Sequence, residues 1–192
     1  LSEQMLIGEM NSPTLVRFIP DSVGDVSQGA AIPFLRTRAL GAGNHRLTFT
    51  PDGSLWVAKT HLSWAGGEGL VRVRLKEQAA DFLAIDRVKL TPKGFSIGFT
   101  QPIQSESLRD VEITRHTYTY HAKYGSPKVD KQKVSAAVTG FSAKDRSCLI
   151  NFENTADLKK GYLYTINFPG VLSVKGKPLL GSTVYYTLHE KR

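Results

Sequence analysis

The side chains best suited to chemistry fall in three places along the chain. The first is Asn44-His45-Arg46, just before an apolar stretch. A charged residue entering an inner strand can face a ligand, and the planar fork of Arg46 fits a carboxylate. The competing reading pairs Arg46 with Asp52 or Glu68 as structural glue. The second is the loop 61–69, HLSWAGGEG, where His61, Trp64 and Glu68 lie among three glycines. Aromatic and charged side chains on Gly-rich loops often touch ligands, and the alternative for Trp64 is packing inside the fold. The third is His116, Tyr118, Tyr120, His121 and Tyr124. In an extended strand His116, Tyr118 and Tyr120 share one face and His121 points the other way. Such rings either form a cross-strand ladder or present a platform for stacking sugar rings.

None of the three completes a catalytic set. Metal binding needs convergent ligands, and no carboxylate or Cys joins these histidines at ligand spacing. Gly41-Ala42-Gly43 is a single GxG without the third glycine or a following helix, so it is not a dinucleotide site. No G-x-S-x-G, H-E-x-x-H, Walker sequence or EF-hand loop is present. No catalytic residue and no metal ligand is assigned.

The elements that must position these residues are strands. In LTFTPDGSLWVA, Leu47–Ala58, two short alternating runs flank Pro51-Asp52-Gly53-Ser54. Pro presets the first turn angle, Asp bonds back to its backbone and Gly supplies a positive φ, which predicts a β-hairpin. A lone hairpin is marginal in water, so it must belong to a larger sheet. Thr14–Ile19 reads as a strand with both faces partly buried, closed by Pro20. Asp21–Gly29 reads as a polar loop, and Ala30–Phe34, with Pro33 inside, as an edge or loop segment. Residues 36–45 read as a Gly-rich connection. Leu70–Leu75 alternates apolar and basic residues, a half-exposed strand. The first 76 or so residues thus hold four or five short strands. Gly-rich loops and a PDG hairpin suggest blades of a β-propeller, and the segment is shorter than two blades.

Glu77–Leu83 reads as a linker or a helical turn, and the change in composition places a domain boundary near residue 78. Seven strand candidates follow: 85–90, 94–99, 112–120, 134–139, 147–152, 162–168 and 182–188. Turn signals such as Pro92-Lys93-Gly94 and Lys175-Gly176-Lys177-Pro178 separate them. That density points to an antiparallel sandwich. Phe95, Ile97 and Phe99 mark one inward face, and the strand at Tyr162 reads as buried on both sides or bulged. The expected fold is all-β: propeller blades over 1–78, then an Ig-like sandwich over 79–192.

Composition narrows the class of partner. The formal net charge is +8, but the cations are spread, with no run of five Lys/Arg. The densest cluster, Lys128, Lys131 and Lys133, contains Asp130. A solvated basic face is expected, not a nucleic-acid site. No apolar run reaches the length of a membrane span. The start lacks the basic and apolar regions of a signal peptide and an initiating Met, so a mature, trimmed or dissected piece is expected. Cys148 is the only cysteine; it excludes a disulfide framework within the chain and reads as a small buried hydrophobe.

GNHRLTFTPDGSLWVAKT, HLSWAGGEG and GLVRVRL resemble the last blade of bacterial glucose/sorbosone-dehydrogenase-type propeller proteins, in particular the large secreted forms of planctomycete-type bacteria. GFSIGFTQPI, TYTYHAKYGSP, GYLYTINFPGV and the terminal YYTL are similar to the β-sandwich appended to that propeller. Together these motifs cover nearly the whole chain from about Leu6. The resemblance implies the end of a six-bladed quinoprotein-like propeller with an Ig-like tail, in the periplasm or secreted. Its partners would be the remaining blades or a partner subunit. The parent protein would hold a quinone-type cofactor, with none expected in this chain alone. In that setting Arg46, His61 and Trp64 would lie at the propeller rim or channel, where cofactor or substrate binds, and the chain is expected to act as a non-catalytic structural or interaction portion. Two alternatives remain open: a pocket-lining part of an active quinone-dependent sugar oxidoreductase, and a carbohydrate-binding module using Tyr118, Tyr120 and Tyr124.

Overall fold

The computed structural model describes residues 3–62, 65–74, 81–144 and 146–192. They form seventeen strands and two short 3-10 turns, Ser105–Leu108 and Thr155–Asp157, with no α-helix among them. The strands are β1 (Met5–Gly8), β2 (Thr14–Val23), β3 (Val26–Arg36), β4 (Asn44–Phe49), β5 (Leu55–Lys59), β6 (His61–Leu62), β7 (Ala65–Gly66), β8 (Leu70–Val73) and β9 (Leu83–Thr91). They continue with β10 (Gly94–Phe99), β11 (Glu112–Tyr118), β12 (Lys128–Lys133), β13 (Ala136–Ser142), β14 (Ser147–Phe152), β15 (Tyr162–Asn167), β16 (Leu179–Leu180) and β17 (Thr183–Leu188).

Two large sheets hold most of the chain. One runs β1-β2-β3-β17-β15-β11-β12 and the other β13-β14-β10-β9-β16. All pairs are antiparallel except β16 with β9. Their inner faces share one apolar core. Phe95, Ile97 and Phe99 of β10 point into it as their alternation predicts, with Ile150 and Phe152 of β14 behind them. From the opposite sheet come Tyr164 and Ile166 of β15 and Val184 and Tyr186 of β17. The Phe95 ring meets Tyr164 at 5.8 Å and Tyr186 at 5.0 Å, both edge-on, the geometry aromatic quadrupoles favour. β15 thus alternates, with Tyr164 and Ile166 inward and their neighbours half-buried, rather than being buried on both faces.

The N-terminal strands depart from expectation. β3 pairs with β17 through Gly29–Ala31 against 185–187, and Ile19, Val23, Ala30 and Ile32 sit in the large core. The division expected near residue 78, which itself lies outside the described residues, therefore does not follow the sheets: residues 14–36 belong to the same layer as the C-terminal strands. Two prolines misdirected the reading. Pro20 lies inside β2, but β1 covers β2 only up to Phe18, so the missing N–H of Pro20 faces an open edge. Pro33 lies inside β3, beyond the three residues that bond to β17. The polar loop expected at 21–29 is a tight hairpin, Val23 opposite Val26, with Gly24 at φ 54.

A separate three-stranded sheet, β4-β5-β8, carries the predicted hairpin. Leu47 faces Val57 and Phe49 faces Leu55. Gly53 has φ 75, and its N–H donates to Thr50 O at 2.8 Å. Asp52 accepts from the Ser54 N–H at 3.1 Å and from the Thr50 hydroxyl at 2.6 Å, and it pairs with Arg72 of β8. Those bonds hold its pKa well below the usual carboxylate range. Leu55 and Val57 pack with Leu15 and Leu40 in a second, small core, flanked by Val71 and Val73 of β8.

Candidate functional site

β2 joins the two cores. Its odd-numbered side chains are all buried and run Leu15, Arg17, Ile19, Asp21, Val23. Leu15 lies in the small core and Ile19 and Val23 in the large one. Arg17 falls at the divide, only 3% exposed. Its Nη1 donates to Gln4 Oε1 at 2.8 Å and to Ile85 O at 3.0 Å. Its Nε and Nη2 are buried and have no hydrogen-bond partner among the described residues. Burial pushes its pKa down to about 10, partly offset by Asp86, and the guanidinium lies 5.5 Å from the centre of the Phe34 ring.

Arg17 borders an open groove of about 630 Å³. The walls include Met5, Phe34, Phe49, Val73, Phe82 and Leu180, so β1, β3, the hairpin and β16 all contribute. Met5 is 55% exposed and Phe49 68%. Apart from Arg17 and Arg74, the described lining holds no ionisable side chain. Chemically the groove can take up apolar surface, and the unpartnered nitrogens of Arg17 are buried behind its wall. It brings no nucleophile and base together. Nothing in the sequence reading singled out Arg17. The available signal was a cation inside an alternation whose two faces both read as buried.

The loop before the hairpin is fixed by Asn44, another residue whose role went unseen. Asn44 is fully buried, and its Nδ2 lies within 3.1 Å of the carbonyls of Glu9, Ser12 and Gly41. Lys59 Nζ donates to the carbonyls of Leu40 and Ala42 from the same side. Gly43 has φ 80, and a Cβ there would stand 2.3 Å from Gly67 N. The G-x-G-N spacing thus lets the β1–β2 turn and this loop meet Thr60 and Gly67. Replacing Asn44 with alanine removes a buried donor shared by three half-buried carbonyls, and urea unfolding is expected to show a loss of about 1–2 kcal/mol.

The residues predicted to bind ligand fall on β4, on β6 and at the end of β11 with the loop after it. Arg46 is exposed on β4 beside His45, at 3.5 Å. Among the described residues it forms no ion pair with Glu68 or with Asp52, which Arg72 takes. His61 is exposed where β6 pairs with β7. Trp64 lies outside the described residues. Tyr118 is half-buried at the end of β11, whereas Tyr120 and Tyr124 are exposed on the loop beyond it, so the three do not form a buried ladder. Cys148 is buried, with its thiol pushed up to about 12, the inert hydrophobe expected of it.

No group of three or more metal-binding side chains occurs among the described residues, and no helix there is long and apolar enough to cross a membrane. Comparison with protein-family models, with curated proteins and with solved structures gave no match for the chain.

Proposed function

We propose that this chain is a non-catalytic structural and interaction portion of a glucose/sorbosone-dehydrogenase-like propeller protein, with an Ig-like sandwich anchoring an incomplete blade. The observation that carries this reading is the three-stranded sheet itself. β4 and β8 are its outer strands, and neither has a further hydrogen-bonded neighbour in that sheet among the described residues. A row of unpaired backbone groups is a template for another strand. Phe49 of β4 is 68% exposed and borders the apolar groove; Leu70 of β8, 60% exposed, lies on the other face of the sheet. An exposed Phe49 beside both an unpaired edge and an apolar groove supports a reading in which another element covers that side of the sheet. The occupant is a β-meander of adjoining propeller blades, whose edge strand pairs with β4 or β8.

Coexpression with the propeller of a glucose/sorbosone-dehydrogenase-like protein from the same genome tests this. Sedimentation should show a one-to-one complex. Phe49→Asp, which places a charge on the exposed face, should weaken that complex at least about tenfold while leaving the thermal unfolding of the isolated chain unchanged. Absence of a complex, with the isolated chain monomeric and not binding a hydrophobic dye, would remove the interaction reading.

A further inference from the structure

A second surface lies at the opposite end of the seven-stranded sheet from the groove, where β11 and the edge strand β12 meet. Tyr118 and Tyr120 have ring centres 6.3 Å apart, and His116 packs edge-on against Tyr118 at 5.1 Å with Nε2 3.1 Å from the hydroxyl. Tyr120 is 83% exposed, and Tyr124, on the same loop, is fully exposed. The loop is closed by Thr119 N–H donating to Pro127 O at 3.1 Å. Lys128 sits directly opposite Tyr118 in the strand register.

Every residue of β12 is exposed, and Lys128, Lys131 and Lys133 have no ion-pair partner among the described residues. The one carboxylate in the strand, Asp130, is already committed. It accepts from the Tyr162 hydroxyl at 2.6 Å and from Gln132 at 2.7 Å, and it pairs with buried Arg115 at 3.4 Å. The strand therefore shows unneutralised positive charge beside exposed tyrosines. Burial and the charges of Lys128 and Lys131 together keep the His116 pKa below its ordinary value, as a positive local potential requires.

We propose that Tyr118, Tyr120 and Tyr124 with Lys128 and Lys131 form a binding surface for an anionic polysaccharide, one carrying uronate or sulfate groups. A sugar ring has an apolar C–H face that lies flat on a tyrosine, and its anionic substituent at the ring edge meets an ammonium group. One repeating unit uses both features of the surface. A nucleic-acid strand fits less well. The exposed cations here are lysines, with Arg115 buried, and no exposed guanidinium is present in β12 for the forked phosphate contacts that such sites favour. The surface is separate from the groove, so this assignment does not depend on the propeller reading.

Affinity electrophoresis of the 192-residue chain at about 0.15 M salt, where long-range attraction is screened, tests the proposal. The gels carry polygalacturonate, dextran sulfate, neutral dextran or oligo-dT. Retardation by polygalacturonate reports a uronate ligand and by dextran sulfate a sulfate ligand; neutral dextran should not retard the chain. Tyr120→Ala with Tyr124→Ala, and separately Lys128→Ala with Lys131→Ala, should each weaken the interaction at least about tenfold with unchanged circular dichroism. Three results overturn the proposal: no retardation by either anionic glycan; equal retardation of wild type and the tyrosine variant, which is simple ion exchange; or tighter binding of oligo-dT that both variants lose.

Discussion

Phe95→Ala is expected to lower the unfolding free energy by about 3–5 kcal/mol. Phe95 is fully buried and touches three rings, Phe152 and Tyr164 at 5.8 Å and Tyr186 at 5.0 Å. Two of those rings cannot collapse into the vacated space. The Tyr164 hydroxyl donates to Asp157 O and accepts from Lys159 N, both at 2.6 Å, and the Tyr186 hydroxyl is held by Asp21 at 2.8 Å. The cavity therefore persists, which puts the cost toward the upper end. For a domain with a total stability of about 5–15 kcal/mol, that leaves the variant marginal. Phe95→Leu, nearer in volume, should cost far less. Urea midpoints measure both. A loss below about 1 kcal/mol for Phe95→Ala would mean that the two large sheets do not share one close-packed core.

Asp21→Ala should cost on the order of 3 kcal/mol, because two buried donors lose their acceptor at about 1–3 kcal/mol each. Asp21 Oδ2 accepts the Leu90 N–H and the Tyr186 hydroxyl, both at 2.8 Å. Lys89 and Arg192 lie at 3.3 and 3.1 Å but are about two-fifths exposed, so water can replace their contact. Burial raises the Asp21 pKa, but the Leu90 N–H, the Tyr186 hydroxyl and Lys89 outweigh it, so the folded value lies below the ordinary 3.8. A lowered folded pKa gives stability that is present in full above the unfolded value and is lost as pH falls through the folded one. Asp21→Asn should therefore flatten part of the decline in stability below about pH 4. Thermal melts from pH 2 to pH 7 on both proteins measure the difference. Parallel pH profiles would show that Asp21 is not the linked group.

Local rules carried the legible part of the fold. The P-D-G turn fixed the hairpin because its three residues each answer a separate backbone demand. The alternation Phe95, Ile97, Phe99 placed the inner face of β10 because a strand has period two. What local rules could not show was pairing over long sequence distance. Nothing at Ala30 announces that it lies opposite Tyr186, and Pro20 and Pro33 argue for strand ends unless the open neighbour positions are known. β12 was missed because KVDKQK is polar on both faces, as an edge strand with no core face can be. The groove was invisible for the same reason as the pairing: Met5, Phe82 and Leu180 are neighbours only in space. Arg46 stood out by its place before the hairpin, whereas Arg17, inside an ordinary alternation, holds two buried nitrogens without a partner among the described residues.

Native-state hydrogen exchange of the isolated chain, then of the chain with propeller blades added, bears most closely on whether β4-β5-β8 is an unfinished sheet. In the isolated chain, amides of β10, β14 and β15 should exchange only through global unfolding, and the outward amides of β4 and β8 should exchange through local opening. Added blades should slow those outward amides selectively. Protection of the β4 and β8 edges equal to that of β10 in the isolated chain, or no slowing when blades are added, would contradict the assignment.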